Sequence, residues 1–222
     1  MLLDDVPFAG RSWNLGVAVH QRLRGDPRDY TVVDLGDASY FERDGIDCSR
    51  LRHNLNNRSH EPLKHHGPGR HCYSLSNTVL EADLFINVPK LKPHRKAGIT
   101  VSLKNVVGTT NKKQWLPHYR AGTPPQGDEY PQPPRVWEQV TAYLGRVPLP
   151  GGHAFIARWP ALRNGHAGPV LNGNWDGNDT TWRMVLDLNT ALRFADRQGR
   201  KHETPQRAWL SVVDGVISGE GQ

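Results

Sequence analysis

Cysteine is scarce in this chain, since Cys48 and Cys72 are its only two cysteines among 222 residues. Two thiols cannot supply the disulfide framework of a small secreted domain, and they are too few for a four-cysteine zinc or iron–sulfur site. The scarcity favours a reducing compartment, so we expect a cytoplasmic protein whose own chain carries no iron–sulfur cluster.

Long apolar segments and familiar catalytic signatures are missing as well. No apolar run approaches the ~18 residues of a membrane-crossing helix, and the acidic start MLLDDVPFAG lacks a signal-peptide pattern. Walker, GxGxxG and Ser-His-Asp signatures are absent, and no nucleic-acid-binding motif is found. We therefore expect no membrane span, no specific nucleic-acid partner, and no nucleotide-binding or serine-hydrolase chemistry.

Glycine and proline are abundant, and the balance of charge is positive. The 22 glycines and 17 prolines interrupt regular structure, and hydrophobic residues make up 36% of the chain, which predicts a loop-rich fold. The length suits one domain spanning residues 1–222. A net charge of +6 permits nucleic acid, a membrane surface or acidic metabolites as partners without selecting among them.

Strand and helix patterns alternate along the chain. We expect strands at residues 30–35, 84–88 and 208–213, and helices at 13–23, 76–82, 135–144 and 180–195. The apolar segment 84–88 is predicted to be a buried strand that ends before Pro89, which cannot donate to a sheet ladder. The alternation predicts an α/β domain with a mostly parallel sheet flanked by helices.

Basic side chains crowd the loop that follows this central strand. Lys90, Lys92, His94, Arg95 and Lys96 lie within seven positions, ahead of a segment up to residue 105 that can form a helix. Open α/β sheets bind ligands at the carboxyl ends of their strands, and the positive charge predicts an anion there. A solvated basic loop explains the same residues about equally well.

These residues support a hypothesis of anion binding and proton transfer. Lys90, Lys92 and Lys104 would bind a phosphate or carboxylate through charge-assisted hydrogen bonds. His94 is the best acid–base candidate, because its ordinary pKa is near ~6.5 and neighbouring lysines should lower it. Asp214 follows the strand at 208–213, where a catalytic or metal-binding carboxylate is expected, although a turn aspartate fits the pattern about as well.

Two further loops carry polar and aromatic side chains. The segment between residues 115 and 130 is predicted to form a lid or wall over the site, and it contains Trp115, His118, Arg120 and Asp128, the last a candidate base. The segment NGNWDGND ends at Asp179 and caps the helix at 180–195, whose N-terminus can form a second anion contact. The aspartates of this segment would repel a phosphate unless a cation such as Mg²⁺ were bound between them. A divalent cation is therefore an alternative that the sequence leaves open as a cofactor.

Residues 36–76 form a long irregular segment that is rich in histidine. His65, His66, His71 and Cys72 can supply metal ligands, but neither a helical HxxxH pair nor a paired CxxC supports a metal site. A solvated or anion-facing loop is the preferred interpretation of this segment.

Several stretches of the chain, taken together, resemble one known family. They are HHGPGRHCYSLSNTVLEADLFINVPKLKPHRKAGITVSLKNVVG, KKQWLPHYRAGTPPQGDEYP, GNWDGNDTTWRMVLDLN and LSVVDGVISGEG, which are spread between residues 65 and 221. The chain resembles the family described as domain of unknown function 362. The segments PKLKPH, SLKN and GNDTTWRM are specific in combination rather than singly.

The resemblance implies three groups of characteristic polar residues but no stated reaction. The groups are Lys90, Lys92, His94, Lys104 and Asn105; Trp115, His118, Arg120, Asp128 and Glu129; and Asn174, Trp175, Asn178 and Asp179. Cys72 stands where the family pattern predicts an acidic residue and Asp176 where it predicts histidine, which weakens a metal site at either position. The resemblance also implies a chain that is truncated at both ends, with an open sheet edge.

Three functions stay open from the sequence. The preferred one is an enzyme that acts on a small anionic metabolite through the basic loop. A non-catalytic module that binds polyanions or acidic saccharides would suit the same lysines and aromatic residues, and its binding should weaken steeply with salt. A metal- or redox-linked protein is supported only by the histidine count and by the family context.

Overall fold

The computed structural model describes residues 12–14, 17–19, 25–53, 62–129 and 173–219. Its strands are β1 Ser12–Asn14, β2 Val17–Val19, β3 Tyr30–Asp34, β4 Leu51–Arg52, β5 His66–Gly67, β6 Arg70–Ser76, β7 Leu84–Asn87, β8 Lys92–His94, β9 Gly98–Thr100, β10 Tyr119–Arg120 and β11 Ala208–Ser211. Its α-helices are α1 Tyr40–Arg43, α2 Asn77–Leu80, α3 Ser102–Asn105 and α4 Thr181–Phe194. The helix expected at 135–144 lies outside the described residues.

The hairpin of β1 and β2 corrects the helix expected at residues 13–23. The two strands pair antiparallel, with Trp13 opposite Ala18. The apolar residues Trp13, Leu15, Val17 and Val19 recur at every second position of the sequence. That spacing is the strand period, and it outweighs the weaker helical pattern in the same segment.

The main core lies between an antiparallel sheet and helix α4. The sheet has the strand order β3–β6–β5. Tyr73 and Leu75 of β6 are fully buried, as are Met184, Leu188 and Leu192 of α4. The three α4 residues are spaced four apart, so they form one apolar stripe along the helix, and all five residues belong to the same core.

The sheets are small and mixed, so a mostly parallel sheet is not confirmed. Strands β5 and β6 are joined by a tight turn at residues 68–69, and such a connection makes neighbouring strands antiparallel. Among the strands of the described ranges, β7 and β11 form the one parallel pair. The protein does combine helices with strands, as the alternation in the sequence predicts.

The parallel pair of β7 and β11 carries the basic loop at its carboxyl end. The two strands lie in register along their full length of four residues. The N–H of Val212 donates to the carbonyl oxygen of Asn87 at 2.9 Å, and the N–H of Leu91 donates to that of Asp214 at 3.0 Å. The pairing thus continues into the loops after both strands, and these strand ends are neighbours.

One face of this pair is exposed, which corrects the buried strand expected at 84–88. Phe85 and Trp209 pack toward the core, with their ring centroids 4.5 Å apart. Leu84, Ile86 and Val88 alternate with them and are 51%, 54% and 60% exposed. Successive side chains of a strand point to opposite faces, and within the described ranges only the Phe85 face is covered.

Two helix starts agree with the sequence patterns. Helix α2 follows Ser76, whose Oγ accepts from the N–H of Val79 at 3.4 Å. Ahead of α4, Oδ1 of Asn178 accepts from the N–H groups of Thr180 and Thr181 at 3.2 and 2.8 Å. Both contacts satisfy donors that a helix leaves without an internal partner.

The remaining described helices are short. The segment after residue 97 first forms β9 and then α3, so the helix expected up to residue 105 is confined to the last four positions. In the part of the chain that the structure describes, no helix has both the length and the apolar character that crossing a membrane requires.

Candidate functional site

The hairpin of β8 and β9 turns two basic side chains toward the same side. Lys92 and His94 are two positions apart in β8, so their side chains leave the same face of the strand. The chain then folds back to Gly98, which lies opposite His94 and has a φ of +70°, a conformation that glycine adopts without strain. Inside this turn, the N–H of Lys96 donates to Nδ1 of His94 at 3.2 Å.

Five basic side chains lie close enough to influence one another's charge, and they are named the basic cluster here. They are Lys92, His94, Lys96, Lys104 and His118. Lys92 is exposed, His94, Lys104 and His118 are partly buried, and Lys96 is 3% exposed. The cluster therefore extends from the surface into the interior.

Burial and mutual repulsion disfavour positive charge in the cluster. Burial, followed by the charges of Lys104, Lys96 and Lys92, lowers the pKa of His94 to about 4. Burial lowers the pKa of Lys96 to about 8; the charge of Asp128 opposes this shift and that of Lys104 adds to it. The pKa of Lys104 is also lowered, by burial and by Lys92. Each lowered pKa reflects the free-energy cost of placing another positive charge there.

The two histidines of the cluster have opposite neutral tautomers, assigned from their hydrogen bonds. Nδ1 of His94 accepts from the N–H of Lys96, so its proton is on Nε2. Nδ1 of His118 lies 2.9 Å from the carbonyl oxygen of Leu116, which only accepts, so His118 keeps a lone pair on Nε2. Burial of its ring, with the charge of Lys96, lowers the pKa of His118 to about 3. The cluster thus offers one imidazole donor and one imidazole acceptor.

Asp128 is a fully buried carboxylate whose two oxygens accept from four donors. The N–H of Arg120 donates to Oδ2 at 2.7 Å, and Nη2 of the same residue donates to Oδ1 at 3.1 Å. The N–H of Asp179 donates to Oδ1 at 3.0 Å, and the hydroxyl of Thr180 donates to Oδ2. Asp128 therefore fastens β10 to the start of α4, close to Lys96.

The neighbouring Asn178 and Asp179 are also held by contacts within the protein. Oδ2 of Asp179 accepts from Nη2 of Arg120 at 3.0 Å. Nδ2 of Asn178 donates to the carbonyl oxygen of His118 at 2.9 Å, which fixes the backbone of a cluster residue. Oδ1 of Asn178 accepts from the N–H of Thr181, the first residue of α4, and Oδ1 of Asp128 accepts from the N–H of Asp179 just ahead of the helix. The second anion contact expected at this helix end stays a prediction.

Asn105 bonds to a buried residue at the carboxyl end of β7. Nδ2 of Asn105 donates to Oδ1 of Asn87 at 2.7 Å, and Nδ2 of Asn87 donates to the carbonyl oxygen of Ser102 at 2.7 Å. Asn87 is 2% exposed. The two amides fasten α3 to the end of β7, and α3 carries Lys104 into the basic cluster.

The other sequence-predicted residues make contacts outside the basic cluster. Nζ of Lys90 lies 3.4 Å from Oδ2 of Asp214, with the two side chains 49% and 41% exposed. The ring of Trp115 stacks on that of His65, with centroids 3.6 Å apart. Asn174 is partly buried in the loop ahead of α4.

In the histidine-rich segment, two histidines bond to each other. The Nδ1 atoms of His66 and His71 are 3.3 Å apart, and Nε2 of His71 is 3.2 Å from Oε2 of Glu42. Nε2 of His66 lies 2.7 Å from the carbonyl oxygen of Trp115. Among the described residues, no three histidine, cysteine or carboxylate side chains come together in a way that could hold a metal ion.

A comparison with protein families agrees with the sequence motifs. The family model described as "Domain of unknown function (DUF362)" matches residues 28–222. The chain belongs to the DUF362 family. Searches among curated proteins and among solved structures returned no match. The DUF362 match includes the basic cluster, the contacts of Asp128 and strand β11, and the family description states no reaction.

Two positions of this DUF362 chain depart from the expected family pattern. Cys72 is a buried, free thiol in β6, and burial raises its pKa. Asp176 is exposed in the loop ahead of α4. Neither position contributes a side chain to the basic cluster.

Two residues of the DUF362 chain matter more to the geometry than the sequence indicates. Lys96 is one of five basic or titratable residues within seven positions, which by itself indicates no particular role, yet it is the least exposed member of the cluster. The alternation of Lys92, His94 and Lys96 is a signal in the sequence, but strand geometry applies only to the first two, because Lys96 lies in the turn between β8 and β9. No sequence pattern indicates the role of Asn87, because a single asparagine in an apolar segment shows only that the apolar run is interrupted.

Proposed function

We propose that this DUF362 protein is an enzyme that binds a small metabolite through a phosphate or carboxylate group at the basic cluster. The observation that carries the proposal is the concentration of Lys92, Lys96 and Lys104 around two histidines whose pKa values are far below the ordinary value. Holding these groups together costs free energy. A bound anion would offset that cost through charge-assisted hydrogen bonds.

The carboxylate of Asp128 lies near the cluster, but it does not take the place of a bound anion. Asp128 is already paired with the guanidinium of Arg120 at 3.1 Å, so its charge acts on Arg120 as well as on Lys96. Lys92 and Lys104 are more accessible than Lys96, and a group of lysines that begins at the surface suits an exchangeable anion. The alternative explanation, a basic loop that is only solvated, does not account for the burial of Lys96.

The members of the cluster have different roles in this proposal. Lys92 is exposed and would attract the anion, while the more buried Lys104 and Lys96 would hold it. His94 would donate from Nε2 to negative charge that develops during the reaction, and Nε2 of His118 would accept a proton. A neutral imidazole suits both tasks near neutral pH.

The surrounding polar residues position the cluster. Asp128 would act as a positioning residue rather than as the base, because both of its oxygens already accept hydrogen bonds. Asn178 would hold the backbone of His118, and Asn105 would hold α3. Asp214 stays a candidate base at the strand ends, where it faces Lys90.

The proposal also places the protein in the cytoplasm. Cys48 and Cys72 are free and buried, which is compatible with a reducing compartment. Fractionation of cells that express the protein, followed by detection with an antibody, would test this location.

A thermal-shift screen tests anion binding. The ligands would be sulfate, phosphate, sugar phosphates and dicarboxylates, and the proteins would be the wild type, Lys92→Ala, Lys104→Ala and Lys64→Ala. An anion at ~100 times its Kd should stabilise the wild type by about 2.7 kcal/mol. We expect the shift to disappear in the first two variants and to persist in Lys64→Ala, because Lys64 is exposed and lies outside the cluster.

The control variant decides how the result is interpreted. Lys64→Ala removes the same charge as Lys92→Ala, so equal losses in both would show that only net charge matters and would refute the site. Turnover of the best-binding compound, lost in His94→Ala, would support the enzyme. Binding without turnover of any bound compound would favour the non-catalytic module.

A further inference from the structure

A chain of three hydrogen bonds joins helix α1 to the loop at Trp115 through two buried histidines. Nε2 of His71 lies 3.2 Å from Oε2 of Glu42 in α1, and Nδ1 of His71 lies 3.3 Å from Nδ1 of His66. Nε2 of His66 lies 2.7 Å from the carbonyl oxygen of Trp115. His71 is fully buried and His66 is 6% exposed, so both rings depend on these protein partners rather than on water.

The two ends of this chain only accept hydrogen bonds, so the imidazoles must supply all three protons. The carbonyl oxygen of Trp115 has no proton to give, and neither has Glu42 as a carboxylate. The pKa of Glu42 is lowered, first by the N–H of Gly69, which donates to Oε2 at 3.0 Å, and then by the bond to His71. Two neutral imidazoles hold only two ring protons. All three bonds therefore form together only when one ring is an imidazolium.

The hydrogen bonds assign the additional proton to His71. Burial, followed by the charge of His71, lowers the pKa of His66 to about 3, so His66 is neutral. Its single proton lies on Nε2, because that nitrogen faces the carbonyl oxygen of Trp115. Nδ1 of His66 then accepts, and His71 donates from both of its nitrogens, to His66 and to Glu42.

Carboxyl groups from three elements surround this buried imidazolium. Glu42 of α1 bonds to its ring, and Oδ1 of Asp34 in β3 accepts from the backbone N–H of His71 at 2.8 Å. The charge of His71 also acts on Asp187 of α4, whose pKa it helps to lower against the larger effect of burial. The other titratable groups beside the two rings are His65, ahead of β5, and Tyr73 in β6.

We propose that the His66–His71 pair is a proton-operated link, which ties α1 to the loop at Trp115 when it holds three protons and loses that tie when it holds two. With two protons, one of the three bonds is always missing. If both rings keep a proton on Nε2, two lone pairs face each other across the Nδ1 atoms. If His66 moves its proton to Nδ1, the bond to Trp115 is lost.

The link acts on the loop that leads to the basic cluster. Nδ1 of His118, a member of that cluster, lies 2.9 Å from the carbonyl oxygen of Leu116, the residue next to Trp115. A change in pH would therefore alter the geometry around His118 from the opposite side of the loop. The link itself does not depend on what the basic cluster binds.

Nitrogen-15 NMR of the histidine rings in the full chain tests the proton count. In a titration from pH 5.5 to 9.5, His71 should show protons on both ring nitrogens at the acidic end, and His66 should show one on Nε2 alone. As the pH rises, His71 should lose one proton. In the same step, hydrogen-exchange protection of the Trp115 and Leu116 amides, which bond to Lys112 and Lys113, should fall at least threefold.

Glu42→Gln separates proton counting from ordinary packing. A glutamine amide brings its own donor to Nε2 of His71, so three bonds can form between two neutral rings. In this variant we expect His71 to be neutral and the protection of Trp115 to stay constant over the whole pH range. Glu203→Gln makes the same chemical change at an exposed position and should keep the wild-type step.

Four results would overturn the proton-operated link. One is a wild-type His71 that is neutral throughout the titration, and another is a loss of its proton that leaves the protection of Trp115 and Leu116 unchanged. A step in protection that persists in Glu42→Gln would show that the third proton is not what holds the chain together. A Glu42→Gln protein without protection at any pH would show that the carboxylate acts through its shape or charge alone.

Discussion

The side-chain amide of Asn105 donates to Oδ1 of Asn87 at 2.7 Å and so fastens α3 to the carboxyl end of β7. Asn87 completes the link by donating to the carbonyl oxygen of Ser102 at 2.7 Å. Because Lys104 lies between Ser102 and Asn105, this pair of amides connects the parallel strands with the basic cluster.

Asn87→Ala should therefore destabilise the protein and weaken anion binding together. The substitution leaves the amide of Asn105 and a carbonyl oxygen without their partner, in a place where Asn87 is 2% exposed, so we expect a loss of about 2 kcal/mol. Urea unfolding would measure the free energy, and sulfate titration would measure binding. Asn105→Ala, which removes the more exposed partner, should cost less; equal stability of Asn87→Ala and the wild type would contradict the role.

Sulfate binding should weaken as the pH rises through 8. A bound anion stabilises the ammonium form of Lys96 and raises its pKa above the value of about 8 that it has without ligand. The complex then binds more protons than the free protein around this pH, so raising the pH opposes binding. By the same argument, a bound anion raises the pKa of His94, so binding should tighten again as the pH falls toward its ligand-free value of about 4.

Calorimetric titration between pH 5 and 9 would measure this dependence, and sulfate is suitable because its own charge stays constant over the range. Lys96→Arg should remove the change near pH 8 and keep the change at acidic pH. An affinity that does not vary with pH in the wild type would show that the anion does not contact these groups.

The ligand-free protein should lose stability as the pH falls from about 6.5 toward 4. The pKa of His94 is about 4 in the folded protein, and that of His118 about 3, against an ordinary value near ~6.5. Between these values the unfolded chain binds more protons than the folded one, so the free energy of unfolding rises with pH and falls on acidification. Each histidine contributes at most about 1.4 kcal/mol per pH unit.

Urea unfolding at several pH values would measure that slope. His94→Gln removes one of the titrating groups and should flatten the curve between pH 6.5 and 4.5. A free energy of unfolding that is constant over this interval in the wild type would contradict the burial of these imidazoles.

Local sequence patterns were enough to locate several elements of the fold. The β-branched and apolar segments around residues 30–34, 84–87 and 208–211 became strands, because their composition favours extended backbone regardless of partner. Ser76 indicated the start of α2, since a serine oxygen satisfies a helix donor within the same short segment. Apolar residues recur at the helical period along the 14 residues of α4, so this helix can also be located from the sequence of its own segment.

Features that depend on distant partners did not follow from the sequence. Residues 36–76 are expected to be irregular, yet they contain β6, which is the middle strand of the main sheet. Whether a strand pairs parallel or antiparallel depends on its connections, and the tight turn between β5 and β6 makes these two strands antiparallel. Whether Ile86 is exposed depends on which elements cover its face of strand β7, and the apolar side chain alone does not indicate this. Likewise, the buried position of Lys96 follows from packing beside Tyr119, more than twenty residues away.

Asp128→Asn should reveal the structural role of a carboxylate that the sequence predicts to be a candidate base. The substitution removes the buried negative charge that faces Arg120 and Lys96. Arg120 keeps its pair with Asp179, so we expect a loss of about 1–3 kcal/mol, which comes from buried donors left without an acceptor. Urea unfolding would measure the loss. Asp176→Asn is the matched control, because it makes the same chemical change at an exposed position and should stay within about 0.5 kcal/mol of the wild type.

The two possible roles of Asp128 predict different outcomes for this variant. A base that only moves protons would lose turnover and keep its stability, because an asparagine oxygen and amide occupy almost the same space. A positioning carboxylate would lose stability first, because four donors from Arg120, Asp179 and Thr180 converge on its oxygens and an amide nitrogen cannot accept from them. An Asp128→Asn protein that is as stable as the wild type would therefore return Asp128 to the list of candidate bases.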